Sequence, residues 1–223
     1  MAPLPARALP ARAARLPTTA GPAALRTGLR LAPGLRVGLF GGSFDPPHAG
    51  HLHVAEEARR RLGLDRVVFL VTPGNPFKPA GGPASARARL QAVRRLATRP
   101  WAVVSDIESR IGSRYTIDSV RWLNARHGGV RFVLIMGADS LGGLHRWKGW
   151  RELAHELPIA VVSRPGAAVK SRLSPFARVF ARYRLPDMAA GALALTAPPA
   201  WVYLPAPFRD ISSTALRAAA LKI

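Results

Sequence analysis

The sequence predicts an α/β fold in which a doubly wound parallel sheet of five or six strands is flanked by helices. Residues 67–71 form an uninterrupted apolar run, which is typical of a strand buried on both faces of a parallel sheet, and residues 130–136 (VRFVLIM) form a second run that is apolar except for Arg131. Each run is followed by a loop and then by a stretch of helical periodicity. A chain in which strands and helices alternate in this way forms a parallel sheet with crossover helices.

The first strand leads into a glycine loop. Residues 37–40 are mainly apolar, and the run ends at Gly41 and Gly42. Helical periodicity resumes at about Gly50 and stops at Gly63. Glycines at a strand end let backbone N–H groups approach a ligand, and the next helix adds unsatisfied N–H groups and the positive end of its dipole. We therefore expect a phosphate-binding site at this loop.

Two histidines distinguish this loop from other phosphate-binding loops. His48 and His51 are three residues apart, which places both imidazoles on one face of the first helical turn. We expect both rings to face the bound anion. A metal site that includes His53 is the alternative, but the chain has no cysteine, and no second cluster of His, Asp or Glu follows at zinc-like spacing. We interpret His53 as a cap or a solvated side chain.

The other predicted elements alternate between helix and strand along the chain. We predict helices over residues 85–98 and from about Thr116, and strands over residues 101–105, 158–162 and 201–204. Thr116 is predicted to cap its helix, in which Val120 and Leu123 face inward. Four arginines of the earlier helix are interpreted as a solvated outer face: Arg87, Arg89, Arg94 and Arg95.

Further candidates lie after the predicted strands. Ligands of open α/β sheets bind beyond the C-terminal ends of the strands. Lys78 follows the strand over 67–71, and Arg164 follows the strand over 158–162. We expect both cations to contact an anionic substrate, although Lys78 also fits a solvated loop lysine.

Composition narrows the class of partner. The chain has 223 residues, a formal net charge of +21 and no cysteine, so one α/β domain without a disulfide scaffold is expected. A basic surface suits nucleic acid, an anionic membrane or small anionic substrates. No zinc knuckle, RNP-like aromatic pattern or basic heptad accompanies the charge, so we favour small anionic substrates. Residues 188–208 are uncharged, but their four prolines argue against a membrane span.

The N-terminal segment differs from the rest of the chain. Residues 1–34 contain six prolines and several arginines but no acidic residue, so we predict a disordered basic extension followed by one domain over residues 35–223. Arginines interrupt every apolar stretch, which excludes a secretory h-region. The arginine content resembles a mitochondrial transit peptide, but the prolines would break its amphipathic helix. We expect a cytoplasmic protein.

Several segments resemble one enzyme family. Residues 42–51 read GSFDPPHAGH and resemble the GxFDPxHxGH signature of a nucleotidyltransferase superfamily with a Rossmann-like sheet. Residues 137–140 (GADS) and 146–150 (RWKGW) resemble the nicotinate-mononucleotide adenylyltransferases in particular, and residues 211–217 match their ISSTxxR ending. The resemblance covers about residues 36–223.

The resemblance implies a reaction in NAD biosynthesis. Nicotinate mononucleotide and ATP give deamido-NAD and pyrophosphate by in-line attack, without a covalent intermediate. Mg²⁺ is expected to arrive bound to ATP. The sequence is compatible with a homo-oligomer.

The resemblance also implies roles for individual residues. His48 and His51 are the expected catalytic donors. The expected ATP contacts are Gly41, Gly42, Ser43, Phe44, Gly137, Asp139, Ile211, Ser212, Ser213, Thr214 and Arg217. The expected mononucleotide contacts are Lys78, Thr116, Trp147 and Arg164. A tryptophan beside a nucleotide can stack on a pyridinium ring, so we predict stacking for Trp147 and core packing for Trp150.

Alternatives remain within and outside this family. Phosphopantetheine adenylyltransferases and cytidylyltransferases share the first motif, and nicotinamide mononucleotide is an alternative acceptor. A basic nucleic-acid-binding protein is the alternative from another class. Its binding would fall steeply with salt and would survive mutation of His48 and His51.

Overall fold

Seven parallel strands form one sheet in the computed structural model, which describes residues 29–74, 84–163 and 173–206. Their order is β3-β2-β1-β4-β5-β7-β6. The strands are β1 Arg36–Gly42, β2 Arg66–Val71, β3 Ala102–Ser105, β4 Arg131–Gly137, β5 Ile159–Val162, β6 Arg184–Leu185 and β7 Trp201–Leu204. The predicted parallel α/β sheet is confirmed, with one strand more than expected. The additional strand is β6, whose two residues are too few to form an apolar run.

Helices cover both faces of the sheet. They are α1 Ala49–Leu62, α2 Ala86–Leu96, α3 Ile107–Arg110, α4 Thr116–Arg126, α5 Ala138–Leu141, α6 Trp150–Glu156 and α7 Pro175–Val179. Short 3₁₀ helices span Leu144–Arg146, Ala181–Tyr183 and Asp187–Leu195. Helix α1 ends where predicted, because Gly63 adopts a left-handed backbone with φ 63°.

The core divides into two groups, one on each face of the sheet. Side chains of β2 alternate between them: Val68 and Leu70 pack in the group that contains α4 and α6, whereas Val67 and Phe69 pack in the group that contains α1. The inward residues Val120 and Leu123 of α4 are fully buried, as predicted. This two-sided burial is the doubly wound arrangement expected from the sequence.

The strand order places a switch point between β1 and β4. The chain adds β2 and β3 on one side of β1, and then returns to pair β4 with its other side, with Phe40 opposite Ile135. The segments that follow β1 and β4 start at the same end of the sheet and lead to opposite faces, since α1 packs on one face and α5 on the other. In open α/β sheets such a crevice is where ligands bind.

The predicted cap of α4 is wrong. Thr116 is the first helical residue, and the N-cap is Tyr115, whose side chain makes no cap hydrogen bond. Ser113 supplies the local contacts instead. Its Oγ accepts the backbone N–H of Tyr115 at 3.1 Å and donates to the Asp118 carboxylate at 2.9 Å.

The predicted solvated face of α2 is wrong at one position. Arg87, Arg94 and Arg95 are exposed, but Arg89 is only 6% exposed. Arg89 lies one helical turn before the buried Val93, on the face that packs against the sheet.

Packing against the domain begins before the predicted boundary at residue 35. Leu29 is buried in the core, and the Gly34 N–H donates to the Gly129 carbonyl at 2.8 Å. Residues 1–28 of the predicted extension over residues 1–34 lie outside the described residues. Within the described ranges, no helix combines the length and apolarity needed to span a bilayer.

Candidate functional site

His48 and His51 cap α1 reciprocally. His48 is the N-cap, and its Nδ1 accepts the Gly50 N–H at 3.1 Å. His51, at the third helical position, accepts the His48 N–H through its own Nδ1 at 3.2 Å. This is a capping box with imidazoles in place of the usual hydroxyl and carboxylate. Backbone donors at the start of the helix therefore hold both rings.

The cap determines which ring nitrogen carries the proton. Because Nδ1 is the acceptor in both rings, a neutral imidazole must carry its proton on Nε2, where it is a donor. The two ring centroids of His48 and His51 are 3.9 Å apart, with an interplanar angle of 41°. The structure thus assembles two adjacent imidazole donors at a helix N-terminus, which suits an anionic ligand.

An aromatic cluster supports His51. The Phe44 ring meets the His51 ring edge-on at 5.0 Å between centroids, and it packs against Phe40 at 5.6 Å and Phe69 at 5.9 Å. Phe44 is 2% exposed, yet its backbone is left-handed with φ 47°. A bulky residue is strained in this conformation, and burial of its ring offsets the cost.

The two glycines of the loop differ in how much room a side chain would have at each position. A Cβ on Gly42 would lie 3.1 Å from the end of the Phe44 ring, so the aromatic cluster leaves little room for a side chain there. A Cβ on Gly41 would meet no described atom within 4 Å. Among the described residues, that side of Gly41 is therefore unoccupied.

Gly137 ends β4, the strand that pairs with β1, and Asp139 follows in α5. Gly137 is the N-cap of α5, and a Cβ on it would clash with the Asp139 carboxylate oxygen, so glycine lets that side chain fold back. Asp139 is exposed. Since β1 and β4 are paired neighbours, Gly137 at the end of β4 lies at the same end of the sheet as the glycine loop, and the ATP contacts expected of Gly137 and Asp139 stay predictions.

Thr116 and Trp147 lie in segments that contact each other. Thr116 is half-buried at the start of α4. Lys148, the neighbour of Trp147, lies 4.4 Å from the centroid of the Tyr115 ring and 3.9 Å from the Asp118 carboxylate. Trp147 itself is half-buried against the core.

Trp150 is half-buried and packs against the core, as predicted, and the half-buried Trp147 packs against the same core. The Trp150 ring lies 6.3 Å from Phe176 and 6.1 Å from Phe180, measured between centroids. The remaining predicted site residues lie outside the described residues: Lys78, Arg164, Ile211, Ser212, Ser213, Thr214 and Arg217.

Sequence reasoning missed Arg89. Its guanidinium donates to the carbonyls of Ser43, Thr72, Pro73 and Ala84 at 2.6 to 3.2 Å. Burial lowers the pKa of Arg89, against an opposing effect of the Asp45 carboxylate. The available signal was its position on the same helix face as Val93.

Glu108 was also missed. This α3 residue follows β3 and is 2% exposed. Its Oε1 accepts from the Ser119 hydroxyl at 3.4 Å, and its buried Oε2 has no hydrogen-bond partner among the described residues. Burial raises the pKa of Glu108 to about 7, although the Ser119 hydrogen bond acts to lower it. No sequence pattern distinguishes it from the exposed carboxylates.

The comparisons with known proteins agree with one another. Residues 39–219 match the family described as cytidylyltransferase-like. The chain is 55% identical over 183 residues to a protein of Caulobacter sp. (strain K31) named "Probable nicotinate-nucleotide adenylyltransferase". That match covers 82% of this chain and 97% of the relative. A protein of the same name from Cereibacter sphaeroides (strain ATCC 17025 / ATH 2.4.3) is 53% identical over 182 residues, covering 82% and 96%.

A solved structure shares the fold. The Plasmodium falciparum nicotinic acid mononucleotide adenylyltransferase complexed with NaAD superposes with a TM-score of 0.62. The match covers 82% of this chain and 83% of that one, at 15% sequence identity. At this identity the likeness concerns the arrangement of strands and helices alone.

Proposed function

This chain belongs to the nicotinate-nucleotide adenylyltransferases of the cytidylyltransferase-like family, and on that premise we propose how its site carries out the reaction. The enzyme transfers the adenylyl group of ATP to nicotinate mononucleotide and forms deamido-NAD and pyrophosphate. The observation that supports the site assignment is the reciprocal cap of His48 and His51, which holds two adjacent imidazoles at the start of α1 and leaves Nε2 as the donor nitrogen of each neutral ring.

The chemistry needs no nucleophile from the protein. An oxygen of the mononucleotide 5′-phosphate forms a bond to the α-phosphorus of ATP. The bond from that phosphorus to the oxygen that bridges the α- and β-phosphates breaks, and this oxygen leaves as part of pyrophosphate. The attacking and leaving groups are both anions, so no proton has to be removed before attack. The protein contributes alignment and stabilisation of the charge that develops on phosphate oxygens.

His48 and His51 supply that stabilisation. We assign their Nε2–H groups to oxygens of the α- and β-phosphates, where negative charge increases as pyrophosphate leaves. A donor held in place before reaction costs no reorganisation during it, and the cap at both Nδ1 atoms provides such a constraint.

The remaining ATP contacts come from two strand ends. Backbone N–H groups of the glycine loop, residues 41–44, suit the triphosphate. Asp139 carries an acceptor, so it suits a hydroxyl or amino group of adenosine rather than a phosphate. We also propose that residues 211–214 and Arg217 contact ATP, because their hydroxyls and the guanidinium can donate hydrogen bonds to phosphate oxygens.

The mononucleotide is assigned to the other side of the crevice. Thr116 and Trp147 belong to segments that touch through Lys148, and Trp147 can offer a ring face to the pyridinium. Cation–π contacts of this kind contribute about 0.5–2 kcal/mol. Lys78 and Arg164 are the proposed partners of the mononucleotide's anionic groups.

Mg²⁺ is proposed to enter with ATP. In the described part of the chain no group of three His, Asp or Glu side chains is arranged to hold a metal ion. Mg²⁺ commonly binds through substrate phosphates with few protein ligands. The ion would neutralise phosphate charge while the protein orients the reacting oxygens.

The proposed partners are small anions and no nucleic acid. A net charge of +21 attracts a triphosphate and a mononucleotide over distances that depend on salt.

The decisive experiment measures pyrophosphate release from Mg-ATP with three acceptors. We expect kcat/KM to be highest for nicotinate mononucleotide, below that for nicotinamide mononucleotide, and at background for phosphopantetheine. A preference for nicotinamide mononucleotide would change the assigned acceptor. No release with any of the three would overturn the proposed function.

A further inference from the structure

We propose that Arg89 is a positioning residue for this reaction: its buried guanidinium orients the Ser43–Phe44 peptide and thereby the phosphate-facing side of the glycine loop. The inference rests on the proposed function and goes beyond it, because it assigns a role to a residue whose guanidinium donates to backbone carbonyls. Arg89 acts through the backbone of the loop that leads to His48.

Arg89 connects three segments that are distant in the chain. Nη1 donates to the Ser43 carbonyl at 2.6 Å and to the Thr72 carbonyl at 2.9 Å. Nη2 donates to Pro73 at 3.1 Å, and Nε donates to Ala84 at 3.2 Å. One planar group thus links the loop after β1, the loop after β2 and the residue before the α2 cap.

Backbone carbonyls replace the usual acidic partner of a buried arginine. Among the described residues, no ion pair within 4.0 Å includes Arg89. Asp45 acts on it only as a nearby opposite charge. Removing a guanidinium from water is costly, and four carbonyl dipoles arranged around its fork supply the compensation. Because burial of the Arg89 guanidinium is costly, its hydrogen bonds to these carbonyls indicate that the glycine loop must keep a fixed conformation.

The hydrogen bond to Ser43 sets the direction of the next N–H. In a trans peptide the C=O and N–H vectors point in opposite directions. The Ser43–Phe44 peptide is not among the cis bonds of the chain, so a carbonyl drawn toward Arg89 turns the Phe44 N–H away from it. That N–H is one of the donors we assign to the triphosphate.

The same contact supports one of the histidines. Phe44 has a left-handed backbone that the surrounding structure must hold in place. Its ring packs edge-on against His51. Rotation of the Ser43–Phe44 peptide would therefore shift both the backbone donor and the support of an imidazole donor.

Lysine cannot replace this arrangement. An ammonium is a single nitrogen with three donors, whereas Arg89 uses three nitrogens in one plane to reach four carbonyls. Arg89→Lys keeps the charge and most of the side-chain length but loses the planar set of guanidinium donors. It is the most informative variant, and Arg94→Lys, at an exposed position of the same helix, is the matched control.

The test compares kcat and KM in folded protein. For Arg89→Lys we expect kcat to fall by roughly 10- to 100-fold, the scale of an ångström-sized misplacement, with KM for both substrates changed by less than about 3-fold. Arg94→Lys should match wild type. An unchanged kcat per folded Arg89→Lys molecule, with folding checked by circular dichroism and thermal denaturation, would overturn the proposal.

A second test uses the wild-type protein, so it remains available if Arg89→Lys does not fold. We expect the ¹⁵N–¹H signal of Phe44 to shift when Mg²⁺ and a non-hydrolysable ATP analogue are added. An unshifted Phe44 signal, while other site residues respond, would refute the role of Arg89. Wild-type enzyme that releases no pyrophosphate with any acceptor would instead refute the proposed function, so the two failures are distinguishable.

Discussion

His51 accepts the backbone N–H of His48 through Nδ1 at 3.2 Å, so the terminus of α1 itself holds one of the two imidazoles. His48 repeats the arrangement with Gly50. Each histidine therefore has a structural nitrogen and a donor nitrogen. The two functions can be separated by substitutions that keep one and remove the other.

The donor role of His51 predicts a loss of turnover. His51→Ala should lower kcat by about 10²- to 10³-fold, the scale for one transition-state donor, and should barely change the KM for ATP. His51→Asn should lower kcat equally, because its amide can accept near the Nδ1 position but does not reach the Nε2 position. Steady-state pyrophosphate release measures both. His53→Ala is the control, and near-normal turnover of His51→Ala would contradict the assignment.

The structural role of His48 predicts a loss of stability. His48→Ala removes the acceptor for the Gly50 N–H and should lower the free energy of unfolding by about 1 kcal/mol, as for other N-cap losses. His48→Asn should retain most of that stability, since asparagine is a good cap. Urea unfolding monitored by circular dichroism checks the difference. Equal stabilities of the alanine and asparagine variants would show that the cap contributes nothing.

The position of Trp147 beside the α4 start predicts a selective effect on binding. Trp147→Ala should raise the KM for nicotinate mononucleotide by about 2- to 30-fold, from loss of a stacking contact of ~0.5–2 kcal/mol, and should raise the KM for ATP less. Initial rates with each substrate varied in turn measure this. Trp150→Ala is the matched control, because its ring packs on Phe176 and Phe180 and its loss should reduce stability instead.

The sheet could be predicted because strands buried on both faces of a parallel sheet appear in the sequence as runs of apolar residues. Six of the seven strands contain a mainly apolar run, and only the two-residue β6 has none. The glycine loop was found from its glycines and histidines. The reciprocal cap was not foreseen, since histidine is an unusual residue at both positions of a capping box.

Arg89 and Thr116 show why individual side chains were harder to predict. An arginine on a basic helix is normally solvated, and only the carbonyls of two distant loops make burial of Arg89 favourable. Thr116 has the chemistry of a cap, but Ser113 is the residue that hydrogen-bonds to Tyr115 and Asp118 at the start of α4. In both cases the deciding partner is a contact that periodicity does not encode.

The buried carboxyl of Glu108 predicts a pH-dependent stability. Burial raises its pKa from the ordinary 4.5 to about 7, so the folded state keeps a proton that the unfolded state releases. Stability should therefore fall as pH rises from about 4.5 to 7, by roughly 1.4 kcal/mol per unit and about 3 kcal/mol in all, and change no further above 7.

Glu108→Gln isolates this effect, because the amide has a similar shape and stays neutral. The difference in the free energy of unfolding between variant and wild type should grow in favour of the variant from pH 5 to pH 7.5 and then level off. Urea unfolding at four pH values measures it, with the exposed Glu152→Gln as the control. A difference that is constant across this range would mean that Glu108 ionises equally in the folded and unfolded chains.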